Sequence, residues 1–66
     1  MTEELMRVAD EYLDRFVSSD LMIVKIKDKK YPANSLKRIF LDRIRERKLT
    51  GITSYTFMNE LYLEKI

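Results

Sequence analysis

A chain of 66 residues with neither cysteine nor histidine has to hold itself together with apolar side chains. Disulfides are excluded, as are thiolate metal sites and the imidazole ligands that zinc and most transition metals prefer. No metal or cofactor site is expected. Size sharpens the constraint, because a domain this small buries only about 60% of the surface its unfolded chain exposes. A well-packed small core or self-association must make up the difference. The apolar fraction of 45% suits a folded core and argues against disorder.

The same absences narrow the chemistry. A histidine-assisted triad or a thiolate nucleophile is impossible, and a phosphate-cradling loop cannot be built around the single glycine, Gly51. Carboxylates remain. Asp10 and Asp14 lie four residues apart, a spacing that suits a divalent cation or an acid/base pair on one helix face. A solvated helix surface is the simpler account of them. The chain is expected not to be an enzyme.

The N-terminus reads Met-Thr-Glu-Glu, where a secretory leader would be basic. The longest apolar run, Leu21-Met22-Ile23-Val24, falls far short of the roughly 20 residues a membrane span needs. A cytoplasmic protein with no membrane partner is expected.

Periodicity predicts one small α+β domain over residues 1–66. Residues 2–18 read as a helix, with Thr2 as cap and Glu3 and Glu4 in its first turn. Leu5, Val8, Ala9, Tyr12, Leu13 and Phe16 form its apolar face, widened by Met6 and Val17. Residues 21–33 read as a short β-hairpin. Met22, Val24 and Ile26 alternate with Lys25 and Lys27, Asp28-Lys29-Lys30 turns, and a second strand over 30–33 is confined to an edge by Pro32. A second helix is expected over 35–48, capped by Ser35 and ended at Thr50-Gly51. Residues 52–65 are ambiguous. Their helix formers favour a helix from about Ser54 to Lys65, and the rival is a hairpin turning at Met58-Asn59-Glu60. Tyr12, Phe16, Phe40, Phe57 and Met58 are expected in the core.

Charge is the feature that points towards a partner. Residues 25–48 hold ten basic and three acidic side chains, a net +7, while residues 1–20 carry a net −4. Lys25, Lys27, Lys29 and Lys30 on the hairpin, with Lys37, Arg38, Arg45 and Lys48 on the second helix, are candidates to neutralise phosphates of DNA or RNA. Tyr31 among the hairpin lysines could stack on a base. A helix-turn-helix through Leu49-Thr50-Gly51-Ile52 is a loose fit, because Arg47 stands where the motif wants a small residue. The alternative is an internal match. Arg43 and Arg47 lie near the apolar arc of the second helix, where they can pair with acids of the first. The chain would then be a protein-interaction module or inhibitor, either alone or as a homodimer, with Tyr55, Tyr62 and Leu63 as its partner surface. Both readings describe a small binding or regulatory protein of the kind that mobile elements and phages encode.

Overall fold

The computed structural model describes residues 3–66, so the proposed Thr2 cap lies outside the described residues. Five elements follow one another: α1 (Glu3–Ser18), β1 (Ile23–Ile26), α2 (Ala33–Glu46), β2 (Ile52–Phe57) and β3 (Glu60–Lys65). The strands make one antiparallel sheet in the order β1-β3-β2. Both helices pack on one of its faces, and the α+β class expected from the sequence is the observed one.

Periodicity explains α1. Ala9, Leu13 and Phe16 recur at helical spacing and are buried, with Leu5 and Tyr12 packed beside them. At its C-terminus the Ser19 hydroxyl donates to the Phe16 carbonyl at 2.8 Å. Lys65, at the end of β3, reaches back and donates from Nζ to the Ser19 carbonyl at 2.5 Å. That ammonium also lies 5.0 Å from the centre of the Phe16 ring. A cation there suits the negative end of the helix dipole and ties the last strand to the first helix.

The hairpin expected over residues 21–33 is not formed. β1 exists, but its partner is β3, with Lys25 opposite Tyr62 and Ile26 opposite Leu61. Asp28 is the reason for the difference. Its carboxylate accepts the backbone N–H groups of Lys30 at 2.8 Å and Tyr31 at 3.1 Å, and the Tyr12 hydroxyl at 3.0 Å. This pulls the chain into a turn where a return strand would have to run. Pro32 follows as the N-cap of α2, so the helix begins at Ala33 and Ser35 lies inside it instead of capping it.

The second helix also ends earlier than expected. Arg47 is its C-cap, and Lys48 takes a left-handed conformation with φ 55°. The Leu49 N–H then donates to the Ile44 carbonyl at 3.0 Å. Gly51 does adopt a positive φ, 83°, but it leads into β2 instead of ending α2.

Residues 52–65 form the hairpin, not the helix. Met58 (φ 51°) and Asn59 (φ 64°) occupy a two-residue turn with both central residues left-handed, the type I′ geometry that matches strand twist. Strand composition over Ile52–Phe57 outweighs the helix formers that follow. With no third helix among the described residues, the helix-turn-helix outline is not met.

The core lies between the helices and the sheet: Ala9, Leu13 and Phe16 from α1, Leu36, Ile39 and Phe40 from α2, and Leu61 and Leu63 from β3. The Tyr12 ring meets Phe40 edge to face at 6.1 Å. Phe57 and Met58, expected inside, are exposed instead. Strand alternation turns Phe57 to the uncovered face, and Met58 sits at the turn.

Candidate nucleic-acid interface

α2 has two sides with different electrostatics. The inner side carries Arg43 and the C-cap Arg47. Arg43 donates from Nε to Asp10 Oδ1 at 3.0 Å and from a terminal nitrogen to Glu46 at 2.7 Å. Arg47 donates to Asp10 at 3.3 Å and to Asp14 at 2.5 Å. Each guanidinium is held more firmly protonated, Arg43 chiefly by its bond to Asp10 and Arg47 by its bond to Asp14. Asp10 and Asp14, candidates for cation binding on spacing alone, are the acids that fasten α1 to α2.

The outer side carries Asn34, Ser35, Arg38, Leu41 and Arg45, all exposed, with Lys37 at its border. Arg45 pairs with Asp42 at 2.8 Å, yet its side chain stays 78% exposed. Among the described residues, Lys37 and Arg38 have no ion-pair partner, nor does Lys48 just past the helix. The first turn contains no acid and no side-chain cap.

A cleft of about 470 Å3 opens beside that end of α2, lined by Ile26, Tyr31, Leu36, Leu61 and Asn59, by Lys27 and Lys29, and by the acids Asp28 and Glu60. Lys27 and Lys29 therefore stand next to the start of α2, likewise without ion-pair partners among the described residues. Of the eight cations singled out from the sequence, Lys27 and Lys29 line this cleft, while Lys37 and Arg38 follow on the next turn of α2. Lys48 lies past the far end of the helix, and Arg45 on its last turn.

The remaining two are engaged elsewhere. Lys30 bonds Glu4 of α1 at 2.6 Å, which lowers the Glu4 carboxyl and raises the Lys30 amine. Lys25 projects from the sheet face opposite the helices and pairs with Glu60 at 3.3 Å. It cannot share a surface with the outer side of α2. Tyr31 packs against the core, so its ring is only partly available for stacking.

The uncovered sheet face is a second surface. Tyr55 and Tyr62 face each other across the β2–β3 ladder and stack at 5.6 Å. The Tyr62 hydroxyl donates to Glu60 at 3.1 Å. Partial burial, reinforced by Glu64 at Tyr55 and by Glu60 at Tyr62, raises both phenols. Bonds from Lys25 and Tyr62 lower the Glu60 carboxyl. Ile23 and Phe57 complete the face. Leu63, grouped with the two tyrosines in the sequence reading, points the other way and is fully buried. Strand alternation separates it from Tyr62, its neighbour in sequence.

Asn34 and Ser35, whose sequence context reads as a helix start, stand exposed within α2. The sequence signal for this placement is Pro32, which puts them inside the first turn. No family model, curated protein or solved structure matches this chain.

Proposed function

We propose that the chain is a non-enzymatic regulator that binds duplex DNA through the outer side of α2 and the Lys27/Lys29 loop beside its first turn. The observation that carries this reading is a set of four cations without ion pairs among the described residues, Lys27 and Lys29 beside the uncapped start of α2 and Lys37 and Arg38 on its next turn. Helix dipole and cations there act in the same direction on a phosphate. Asn34, Ser35 and Arg38 are side chains suited to base edges, and a single exposed helix has the width of a major groove. Fluorescence anisotropy with a labelled duplex, and an RNA single strand for comparison, tests the reading. Binding should fall linearly in log K against log salt. Lys29→Glu and Arg38→Glu should abolish it. No binding in low salt, or binding indifferent to both substitutions, overturns it.

A second reading rests on the uncovered sheet face. Tyr55, Tyr62, Phe57 and Ile23 form an aromatic and aliphatic patch, and Glu60 and Glu64 among them make it unattractive to phosphate. That chemistry suits a protein partner. A partner whose binding survives Arg38→Glu but not Tyr62→Ala would favour this reading over the first.

A further inference from the structure

Phosphates of DNA can meet the cations beside the start of α2, but they leave the apolar lining of the cleft there uncovered. That cleft, about 470 Å3, has the size of a small-molecule site, roughly 300–1,000 Å3. Half-buried Ile26, Tyr31 and Ala33 and exposed Pro32 form its walls, and buried Leu36 and Leu61 complete the apolar lining. The walls are held from outside. Tyr31 donates its N–H to Asp28 at 3.1 Å, and the Lys30 ammonium lies 5.5 Å from its ring centre. Pro32 and Ala33 belong to the start of α2.

Four charged side chains share the lining, and they are not equivalent. Both acids are committed. Asp28 Oδ1 accepts the Lys30 and Tyr31 N–H groups, and its Oδ2 accepts the Tyr12 hydroxyl. Glu60 pairs with Lys25 at 3.3 Å and accepts the Tyr62 hydroxyl at 3.1 Å. The two exposed lysines are not committed. Lys27 helps from a distance to lower the Glu60 carboxyl but forms no ion pair with it. Lys29 has no carboxylate partner among the described residues.

We infer that the cleft takes a small amphipathic anion, an aryl- or alkyl-carboxylate, with its apolar body against Ile26, Tyr31 and Pro32 and its carboxylate at Lys29 and Lys27. Each half of the site selects against a simpler ligand. An inorganic anion would satisfy the lysines and leave the apolar walls in water. A neutral hydrocarbon would cover the walls and leave the ammonium groups unmatched. Asp28 and Glu60 already hold donors, so little bare negative charge opposes the incoming carboxylate.

Titration of the chain's amide resonances with phenylbutyrate tests the site without nucleic acid, so its outcome is independent of the DNA-binding reading. Saturable shifts should centre on Ile26, Tyr31 and Ala33, with a Kd of about 1 mM or below. Neutral phenylbutyramide keeps the body and butyrate keeps the head, and each should bind roughly tenfold more weakly or worse. Lys27→Met with Lys29→Met changes two exposed side chains and should leave the fold intact. It should weaken phenylbutyrate by a similar factor and leave phenylbutyramide unchanged. Should that variant lose its native spectrum, the comparison with phenylbutyramide decides alone. No saturable shift, shifts centred instead on Tyr55 and Tyr62, equal binding of the amide, or indifference of a folded double variant overturns the inference.

Discussion

Arg43 and Arg47 on one side of α2, and Arg38 and Arg45 on the other, are the same side chain in different circumstances. The inner pair is mostly covered and bonded to the acids of α1, whereas Arg45 is 78% exposed and Arg38 has no ion pair among the described residues. Angular distance from the apolar stripe Leu36–Ile39–Phe40 accounts for the difference. A cation near that stripe lies over the helix–helix seam, where its stem packs and its head finds Asp10 or Asp14. A cation opposite the stripe finds water or a partner. A net charge of +7 over residues 25–48 therefore overstates the surface available to an anion.

The comparison breaks most completely if the stripe itself is removed. Phe40 is fully buried and meets Tyr12 edge to face. Phe40→Ala should cost about 3–5 kcal/mol, as much as a core of this size supplies. The variant should be largely unfolded by near-ultraviolet circular dichroism. If it keeps a cooperative transition near the native midpoint, the helices are held by something other than this core.

The inner charges should matter less. Asp10 accepts bonds from both Arg43 and Arg47, so it is the residue at which the seam is most connected. Asp10→Ala should cost about 1 kcal/mol, because the pairs are partly exposed and Glu46 and Asp14 still hold the two arginines. Urea denaturation measures this. An unchanged midpoint would show that the acidic helix and the basic helix are matched in charge without being stabilised by it.

Much of this division was legible in the sequence. The 3- and 4-residue spacing fixed both helices, and the placement of Arg43 and Arg47 beside the apolar arc marked them for internal pairs. The return strand expected over 30–33 does not form because the Asp28 side chain accepts the N–H groups of Lys30 and Tyr31 just after it, a local side-chain competition that alternation does not register. Residues 52–65 form strands where a helix was favoured because Leu61 and Leu63 are buried by tertiary packing, which overrides the helix propensity of their neighbours. For the site, strand parity split Lys25 from α2 and Leu63 from Tyr62, and parity could be applied only once the pairing partner of β1 was known.

Acid titration sharpens the contrast further. Bonds from Lys30 lower the Glu4 carboxyl, the Lys30 and Tyr31 backbone and the Tyr12 hydroxyl lower Asp28, and Lys25 lowers Glu60. Each group binds protons more weakly folded than unfolded. Its contribution is complete above the ordinary carboxylate values of 4.5 for Glu and 3.8 for Asp, and is lost as pH falls through the lowered folded values. Stability should therefore decline below about pH 4. Tyr12, Tyr55 and Tyr62 are raised above 10.0, so their contribution is lost in the opposite direction, as pH climbs past that value. Lys30→Met should make the acid limb shallower. Arg38→Met should leave it unchanged, since no carboxylate depends on that cation.

The smallest effect on stability should come from the outer side, and there a null result carries the most information. Arg38→Glu with Arg45→Glu removes one exposed pair, Arg45–Asp42, and disturbs nothing buried. The folding midpoint should move by no more than about 0.5 kcal/mol. Reversing two of the cations on the outer side should nonetheless eliminate duplex binding, because each lost phosphate contact also removes its share of counterion release. A large loss of stability would mean that the outer arginines also serve the fold, and the distinction between the two sides of α2 would fail. Unchanged stability with unchanged binding would leave that distinction standing as architecture and move the search for a partner to Tyr55, Tyr62 and Phe57 on the uncovered face of the sheet.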